Sequence, residues 1–242
     1  MIRNTIHKGD CLELMPKLLD DKSIDMIFCD LPYGTTQCKW DSVIDLPKLW
    51  SEYERVIKDN GAIVLFASQP FTTTLISSNL KMFRYELIWD KIRSATGLNA
   101  KRMPMKTHEN ICVFYKKPPT YNPQMTEGKP FDKTKYNGQL ELANVTGGGI
   151  KESKKNNGTR YPISIHRHSQ NWKRQDQVHP TQKPLSLIEY MIRTYTNEGD
   201  LILDNTCGSG TTGLGAKNLK RDYIMMEQDP DIYEISCKRV LK

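Results

Sequence analysis

The 242-residue sequence predicts an α/β fold, in which a mostly parallel sheet is covered by helices. Three observations support this prediction. Apolar runs typical of buried strands alternate with amphipathic helical patterns, a glycine-rich turn joins one such run to a helix, and carboxylates end several of the runs. The hydrophobic content of 38% is enough for a sizeable core. We therefore expect one large domain that carries an inserted segment.

The first part of the pattern covers residues 1–117. The runs "SIDMIFCD" and "GAIVLFAS" predict buried strands, and "LPKLWSEYERVIK" between them predicts a helix that ends at Asn60-Gly61. Further on, "RYELIWDK" and "NICVFYK" predict two adjacent antiparallel strands. The stretch 93–107 between them is basic and is expected to be a loop.

The last part, 178–242, returns to the same alternation. "HPTQKPLSLIEYMIRTYT" predicts a helix with Pro184 in its first turn. "DLILDNTCGSGTTGLGAKNL" then predicts a strand, a turn and a helix, and "DYIMMEQD" predicts the next strand. Residues 118–177 between the two parts are rich in Gly, Asn, Lys and Pro and show no apolar period, which is typical of a functional insert or a disordered segment.

The positive charge is concentrated in this insert. Between Lys116 and Asp176 there are twelve Lys or Arg residues against five Asp or Glu, so this segment alone accounts for the net charge of +7. Such a segment on a neutral scaffold is typical of nucleic-acid binding, although a solvated basic loop is the alternative. The candidate residues for nucleic-acid binding are Lys151, Lys154, Lys155, Arg160 and Arg167.

Other compositional features restrict the class of protein. No apolar run approaches the ~20 residues that span a bilayer, and the N-terminus lacks a signal-peptide pattern, so we expect a cytoplasmic protein with no membrane partner. The six cysteines form no C-x-x-C pair, which predicts reduced thiols. His166 and His168 have no accompanying third ligand, so no metal site is expected.

The stretch "DMIFCDLPYG" raises the first functional question. Asp30 stands where the apolar strand should end, and Pro32 prevents further regular pairing. Ligands of open α/β sheets bind at the carboxyl ends of strands. A carboxylate and the Tyr33 ring at that edge predict a site for a flat ligand with hydrogen-bond donors, with an ordinary turn as the alternative.

The second candidate site is "GSGTTG", Gly208 to Gly213, which matches the dinucleotide-binding pattern G-x-G-x-x-G. Glu227, at the end of the next strand, could bind a ribose. Asp204, however, would face a pyrophosphate with its negative charge, whereas a cofactor with an ammonium group would pair with it. This favours S-adenosylmethionine over a nicotinamide dinucleotide, and a tight structural turn is the third reading.

Together the two sites suggest methylation of an exocyclic amino group. Asp30 and the Leu31 carbonyl can accept its two N–H bonds, Pro32 fixes that carbonyl, and Tyr33 can stack on the base. The two acceptors favour a pyramidal nitrogen whose lone pair faces the methyl donor. Because a base in a duplex hides this nitrogen, the enzyme would have to flip the nucleotide out.

These motifs resemble those of a known family. "DLPYG" resembles the D-P-P-Y motif of amino-methylating DNA methyltransferases, and "DNTCGSGTTG" resembles their adenosylmethionine loop. The order of the two motifs, with a variable region between them, resembles the β class of adenine-N6 methyltransferases. "GDCLELMPKL", "LIWDK", "HENICVFYK" and "HPTQKP" extend the resemblance over most of the chain outside 118–177. Leu31 and Cys207 depart from the more common proline and phenylalanine.

The resemblance implies a Rossmann-like methyltransferase fold, circularly permuted, with a seven-stranded sheet. It implies that Asp30, Leu31, Pro32 and Tyr33 are catalytic. It implies that the cofactor S-adenosyl-L-methionine is bound by Asp10, Cys11, Lys183, Asp204, Gly208, Ser209, Gly210, Thr211, Thr212 and Glu227, with Lys183 near the methionine carboxylate.

The same resemblance implies the partners and leaves alternatives open. Residues 118–177 would be the target-recognition insert for double-stranded DNA, and a homodimer and a cognate restriction endonuclease are further implied partners. The alternatives are cytosine-N4 methylation, which Asp30 disfavours because such enzymes more often carry Ser there, and a catalytically silent DNA-binding subunit. An oxidoreductase with a nicotinamide cofactor is the third alternative.

Overall fold

The structure is a computed structural model that describes residues 1–34, 42–93, 97–132, 155–169 and 182–241. The chain divides into two compact units. Unit 1 comprises Met1–Asn122 and Ser164–Lys242, and unit 2 comprises Pro123–Ile163.

Unit 1 contains an eight-stranded sheet. The strands of the described residues are β1 Thr5–Lys8, β2 Ile24–Asp30, β3 Ile57–Ala67, β4 Phe83–Asp90, β5 His108–Phe114, β6 Thr126–Glu127, β7 Phe131–Asp132, β8 Lys155–Asn156, β9 Thr159–Arg160, β10 Ile165–Arg167, β11 Leu201–Asp204 and β12 Asp222–Glu227. The sheet has the order β1-β12-β11-β2-β3-β5-β4-β10. Neighbouring strands are parallel, except that β5 is antiparallel to both β3 and β4. The antiparallel pairing of β4 with β5 is the one that the sequence predicted.

The sheet has one strand more than the seven expected. Strand β10 comes from the stretch assigned to the insert, and it extends the sheet by parallel pairing with β4. The Ile88 amide donates to the Ser164 carbonyl at 2.8 Å, and the Trp89 indole donates to the His168 carbonyl at 2.8 Å. Three residues with little apolar periodicity gave no strand signal, and only these tertiary hydrogen bonds define the strand.

Six α-helices connect the strands of unit 1 within the described residues: α1 Cys11–Leu18, α2 Leu46–Val56, α3 Phe71–Ser78, α4 Leu185–Tyr195, α5 Thr211–Asn218 and α6 Pro230–Val240. The predicted helix end at Asn60-Gly61 is wrong, because both residues lie in β3. Ile57 pairs with Ile24 of β2, so the strand begins directly after Val56. No helix in the described ranges combines the length and apolarity that a membrane crossing requires.

The helices cover both faces of the sheet. Successive residues of β2 alternate between the faces, since Ile27 packs in one apolar cluster and Phe28 in the other. The first cluster includes Leu49 of α2, and the second includes Met191 of α4 and Val240 of α6. This arrangement places the carboxyl ends of β1, β2, β3, β11 and β12 along one edge, where the loops carry the candidate site.

Unit 2 contains two short antiparallel ladders, β6 with β9 and β7 with β8. The Gly128 amide donates to the Gly158 carbonyl at 2.6 Å. The Arg160 guanidinium lies over the Phe131 ring at 4.8 Å and also donates to the Lys129 carbonyl. Arg160 thus has a structural role within this unit.

Candidate active site

A cleft with a volume of about 670 Å³ opens at the carboxyl edge of the sheet in unit 1. It brings together all but one of the predicted catalytic and cofactor-binding residues. Those lining it are Asp10, Cys11, Asp30, Leu31, Pro32, Tyr33, Lys183, Asp204, Gly208, Ser209, Thr211, Thr212 and Glu227. The two predicted sites therefore form one continuous cleft.

Gly210 is the exception. Its backbone is left-handed, with φ of 76°, and a Cβ atom there would lie 2.8 Å from Cγ2 of Val240. The residue supports the close packing of the turn on α6 and does not line the cleft. Gly210 therefore shapes the turn, and the cofactor role that the resemblance implied for it stays a prediction.

Asp30 is the last residue of β2, and its side chain is 31% exposed. One carboxylate oxygen accepts a hydrogen bond of 2.7 Å from the Tyr33 hydroxyl, and the other accepts one from the Lys183 ammonium. The Asp30 carbonyl accepts a hydrogen bond of 3.1 Å from the Thr206 hydroxyl. This last bond joins the "DLPY" motif to the glycine-rich turn across 176 residues of sequence.

Lys183 lies deeper in the cleft, with 9% of its side chain exposed. Its ammonium is 3.5 Å from Oε2 of Glu109 and 5.0 Å from the centre of the Phe66 ring. Burial alone would lower the pKa of Lys183, but the charges of Asp30 and Glu109 outweigh it and raise the pKa. The resemblance placed this amine near the methionine carboxylate, whereas the structure pairs it with these two carboxylates.

Glu109 completes a buried charge cluster that sequence reasoning missed. Lys91 donates a hydrogen bond to Oε1 of Glu109. Oε2 is buried and has no hydrogen-bond partner among the described residues. Although burial opposes it, the charges of Lys183 and Lys91 lower the pKa of Glu109. The only signal in the sequence was the position of Glu109 in "HENICVFYK", at the start of a strand.

Tyr33 packs its ring on Phe71, with the ring centres 5.3 Å apart and the planes inclined by 23°. Burial, followed by the charges of Asp30 and Glu109, raises the pKa of the Tyr33 hydroxyl well above its usual range. The hydroxyl is therefore a stable donor to Asp30 at neutral pH. The Phe71 contact holds the ring at the edge of the cleft.

Asp204 ends β11, the strand next to β2, and is only 3% exposed. Burial raises its pKa to about 7, although bonds from the Thr212 side chain and the Thr206 amide favour the carboxylate. Among the described residues no Lys or Arg forms an ion pair with it. A buried acid without a cationic partner is suited to a positively charged ligand.

Glu227 ends β12 on the other side of Asp204. Its two oxygens accept hydrogen bonds of 2.9 Å from the amides of Gly208 and Asp229. Burial nevertheless raises the pKa of the carboxyl. Since a carboxylate has about four acceptor positions, it can still accept bonds from a ribose diol.

Asp10 and Cys11 lie where β1 leads into α1. The Asp10 carboxylate caps this helix through the Leu12 amide at 2.7 Å, and Cys11 is buried beside Asn205. Asn205 accepts hydrogen bonds from the Tyr53 hydroxyl at 2.6 Å and the Cys29 thiol at 2.8 Å. Its Nδ2 atom is buried without a partner among the described residues.

Arg239 of α6 is another residue that the sequence did not reveal. Its guanidinium donates to the carbonyl and hydroxyl of Ser209, at 3.0 and 3.1 Å, and to the Thr211 hydroxyl at 2.8 Å. Burial lowers the pKa of this group. The hydroxyls of these two residues, which the resemblance assigned to cofactor binding, are thus bonded to the last helix, and Arg239 fixes the turn that carries them.

The candidate DNA-binding residues fall into different environments. Lys151 and Lys154 lie outside the described residues. Lys155 begins strand β8 and is exposed, and Arg160 is held within unit 2 by its contacts with Phe131 and Lys129. Arg167 lies in strand β10 of unit 1, where its 77% exposed side chain pairs with Asp90 at 2.9 Å.

The two histidines considered as metal ligands have ordinary contacts. The His166 ring packs on Tyr190 with the centres 4.7 Å apart, and Nδ1 of His168 is 2.9 Å from the Ser186 hydroxyl. Burial lowers the pKa of both. The described cysteines are all free thiols: Cys11, Cys29, Cys112, Cys207 and Cys237.

Three features of the cleft fit S-adenosylmethionine. Gly208 has φ of 51°, and a Cβ atom there would meet no described atom within 4 Å, so space is left at the turn. The Asp204 carboxyl suits an ammonium or sulfonium charge, and the Asn205 amide offers an unused donor. When bound, the cofactor supplies an electrophilic methyl group.

Comparison with solved structures shows the same fold in DNA methyltransferases. The structure of M1.HpyAVI in complex with S-adenosylmethionine has a TM-score of 0.67 and 23% identity, covering 97% of this chain and 98% of that one. The cytosine-N4-specific PvuII DNA methyltransferase has a TM-score of 0.70 and 16% identity, covering 100% and 88%.

Curated relatives extend the likeness to the sequence. The type II methyltransferase M2.MboI of Moraxella bovis is 28% identical, over 97% of this chain and 86% of the relative. M.HinfI of Haemophilus influenzae is 28% identical over 98% and 68%. Residues 24–238 match the N6/N4 methyltransferase family, described as DNA methylase.

The chain belongs to this N6/N4 DNA methylase family. Its reaction is the transfer of a methyl group from S-adenosylmethionine to an amino group of a DNA base. The predicted family, fold class and cofactor are thereby confirmed.

Proposed function

We propose that the chain methylates N6 of adenine at a specific sequence in double-stranded DNA. The observation that carries this proposal is the bond from Thr206 to the Asp30 carbonyl at 3.1 Å, which holds the "DLPY" motif beside the turn after β11. Because of this bond, an amino group at Asp30 would lie in the same cleft as a methyl donor at Asp204. Asp at position 30 supports adenine over cytosine.

The geometry of the cleft supports the following roles for the catalytic residues. The Asp30 carboxylate and the Leu31 carbonyl accept the two N–H bonds of the target amino group, which favours a pyramidal nitrogen with an available lone pair. Tyr33 orients Asp30 through its hydroxyl and offers its ring to the base. After transfer the nitrogen carries a positive charge and loses a proton readily, so no strong base is required.

The cofactor-binding roles stay as proposed from the resemblance, with two refinements from the structure. Asp204 pairs with the charged end of the cofactor and Glu227 with its ribose, while Asp10 and Cys11 lie near its adenine. Arg239 acts indirectly by fixing Ser209 and Thr211. The ammonium of Lys183 pairs with the carboxylates of Asp30 and Glu109.

The basic insert is proposed to recognise the DNA target, with Lys151, Lys154, Lys155 and Arg167 as phosphate contacts. Arg160 would act there by holding unit 2 together. A homodimer and a cognate restriction endonuclease remain proposals from the resemblance, and the relatives named type II methyltransferases are in keeping with the second of them. Cytosine-N4 methylation is the second candidate, since the fold of the PvuII enzyme matches this chain as well.

One experiment tests the choice of base. DNA from a host that expresses the chain is digested to nucleosides and analysed by mass spectrometry, with DNA from a host expressing Asp30→Ala as the control. We expect N6-methyladenine only with the intact chain. N4-methylcytosine in place of N6-methyladenine would show that the second candidate is correct. The absence of both methylated nucleosides would contradict the proposed function.

A further inference from the structure

The loop between β4 and β5, residues 91–107, lies beside the site described above, and only its first residue, Lys91, has a role there. Residues 91–107 contain five Lys or Arg and no Asp or Glu. We call its described segment 97–107 the basic methionine loop. Its first turn is the short 3-10 helix Gly97–Asn99, and the Arg102 and Met103 amides donate to the Asn99 carbonyl at 2.9 and 3.1 Å. The segment is thus locally structured.

Both ends of the whole β4–β5 loop, residues 91–107, contact the wall of the cleft. The Lys91 amide donates to the Thr107 carbonyl at 2.8 Å and closes the loop. At one end Lys91 pairs with Glu109, and at the other the Lys106 ammonium donates to the Ser68 hydroxyl. Lys91, Glu109 and Ser68 all line the cleft. The loop therefore begins and ends beside residues that line the cleft proposed to receive the target base.

The tip of the loop is both cationic and apolar. Lys101 and Arg102 are exposed, and the next residues include Met103 at 59% and Met105 at 51% exposure. Met103 and Met105 thus place two exposed apolar side chains directly beside two cations. Proteins that distort DNA combine the same two chemistries, since cations bind phosphates and flexible apolar side chains contact unstacked bases.

We propose that the basic methionine loop binds the DNA duplex next to the target nucleotide. Lys101 and Arg102 contact phosphates, and Met103 and Met105 pack on the base step that loses its stacking partner when the target base enters the cleft. This inference rests on the proposed function, because it requires that a base is flipped from a duplex. It assigns to unit 1 a DNA contact separate from the basic insert.

The test compares two double variants with a matched control. Lys101→Gln/Arg102→Gln removes the charges, and Met103→Ala/Met105→Ala removes the apolar side chains. Leu80→Ala/Lys81→Gln is the control, because Leu80 is 66% exposed and precedes β4, at the opposite end of that strand. All six positions are exposed, so cofactor affinity and the midpoint of thermal unfolding should match the wild type.

The recognition site is first located by modification-sensitive sequencing of DNA from a host that expresses the chain. Binding to a labelled duplex that carries this site is then measured against salt. Base extrusion is measured by the fluorescence of 2-aminopurine at the target position. The charge variant should reduce the slope of log affinity against log salt by up to about 1.8. The methionine variant should keep this slope and lower the extruded fraction about tenfold, since less of the unstacking cost is offset. The control variant should change neither.

Specific outcomes would overturn the inference. The inference is rejected if both loop variants show the wild-type salt slope and the wild-type extruded fraction while DNA methylation is intact. The proposed function would not be affected by that result. A change of oligomeric state in the methionine variant, without any change in DNA binding, would show that the loop contacts a second copy of the chain. If the wild type bound no DNA and methylated none, the proposed function itself would fail.

Discussion

The ammonium of Lys183 donates a hydrogen bond to the carboxylate of Asp30, 153 residues away in the sequence. The same carboxylate is the proposed acceptor for the target amino group. An amino group that enters the cleft must therefore share Asp30 with Lys183 or displace the Lys183 ammonium toward Glu109. The Oε2 atom of Glu109 has no hydrogen-bond partner among the described residues. Under the proposed function, Lys183 and the target base would therefore compete for one carboxylate.

Asp30→Asn should reduce kcat strongly while leaving cofactor and DNA affinity nearly unchanged. The lost charge matters mainly in the transition state, when the nitrogen becomes positive, so KM should change little. Tyr33→Phe should have a milder effect because the ring remains and only the bond to Asp30 is lost. Steady-state kinetics of DNA methylation measure kcat and KM for both variants. A wild-type kcat in Asp30→Asn would mean that "DLPY" is only a turn after a strand.

Lys183→Gln separates two roles for this lysine. If its amine serves Asp30 and Glu109, as the contacts indicate, kcat should fall while S-adenosylmethionine affinity stays within about twofold, equivalent to less than ~0.5 kcal/mol. If it binds the methionine carboxylate, affinity should fall by the ~1.5–3 kcal/mol of a charge-assisted bond. Isothermal titration measures this affinity, with Lys91→Gln as the control that removes a charge from Glu109 and leaves the bond between Lys183 and Asp30 in place.

Cofactor affinity should depend on pH through Asp204, whose pKa is about 7. The carboxylate form pairs with a cation, so affinity should rise by up to about tenfold per pH unit below 7 and level off above it. Asp204→Asn should bind more weakly at pH 7.5, by ~1.5–3 kcal/mol, and should lose the pH dependence. Titrations between pH 5.5 and 7.5 test this; a flat wild-type profile would contradict the role of Asp204.

Acid stability should depend on Glu109, whose pKa is lowered in the folded protein by Lys183 and Lys91. A lowered folded-state pKa stabilises the fold above the unfolded value near 4.5, and this contribution is lost as the pH falls through the folded value. Glu109→Gln should therefore be less stable at neutral pH and lose less stability on acidification. Thermal melts from pH 7 to pH 3 measure the difference, and parallel curves would contradict the assignment.

The charges of the basic insert should control DNA affinity and leave cofactor affinity alone. Neutralising Lys151, Lys154 and Lys155 together should reduce the slope of log affinity against log salt by up to about 2.7 if all three contact phosphates. Fluorescence anisotropy with a labelled duplex gives the slope. If the slope does not change while the protein remains folded, the segment that contains these three lysines is only a solvated loop.

The sequence by itself determined the fold class, the family and the composition of the cleft. Continuous apolar runs such as β2 and the glycine turn after β11 depend on local spacing, which a sequence displays directly. The carboxyl ends of parallel strands share one edge, so the sequence predicts that Asp30, Asp204 and Glu227 lie at that edge, whereas the position of β11 between β2 and β12 is seen only in the structure. All three line the same cleft.

Tertiary structure alone decided how the charges in that cleft are paired. Lys183 and Glu109 lie far apart in the sequence from Asp30, and nothing in their local surroundings indicates that they meet in a buried cluster. The same holds for Arg239 on Ser209 and for strand β10, whose three residues become a strand only beside β4. Hydrogen bonds and ion pairs between distant residues leave no periodic trace along the chain, because they depend on where the packed elements place each side chain.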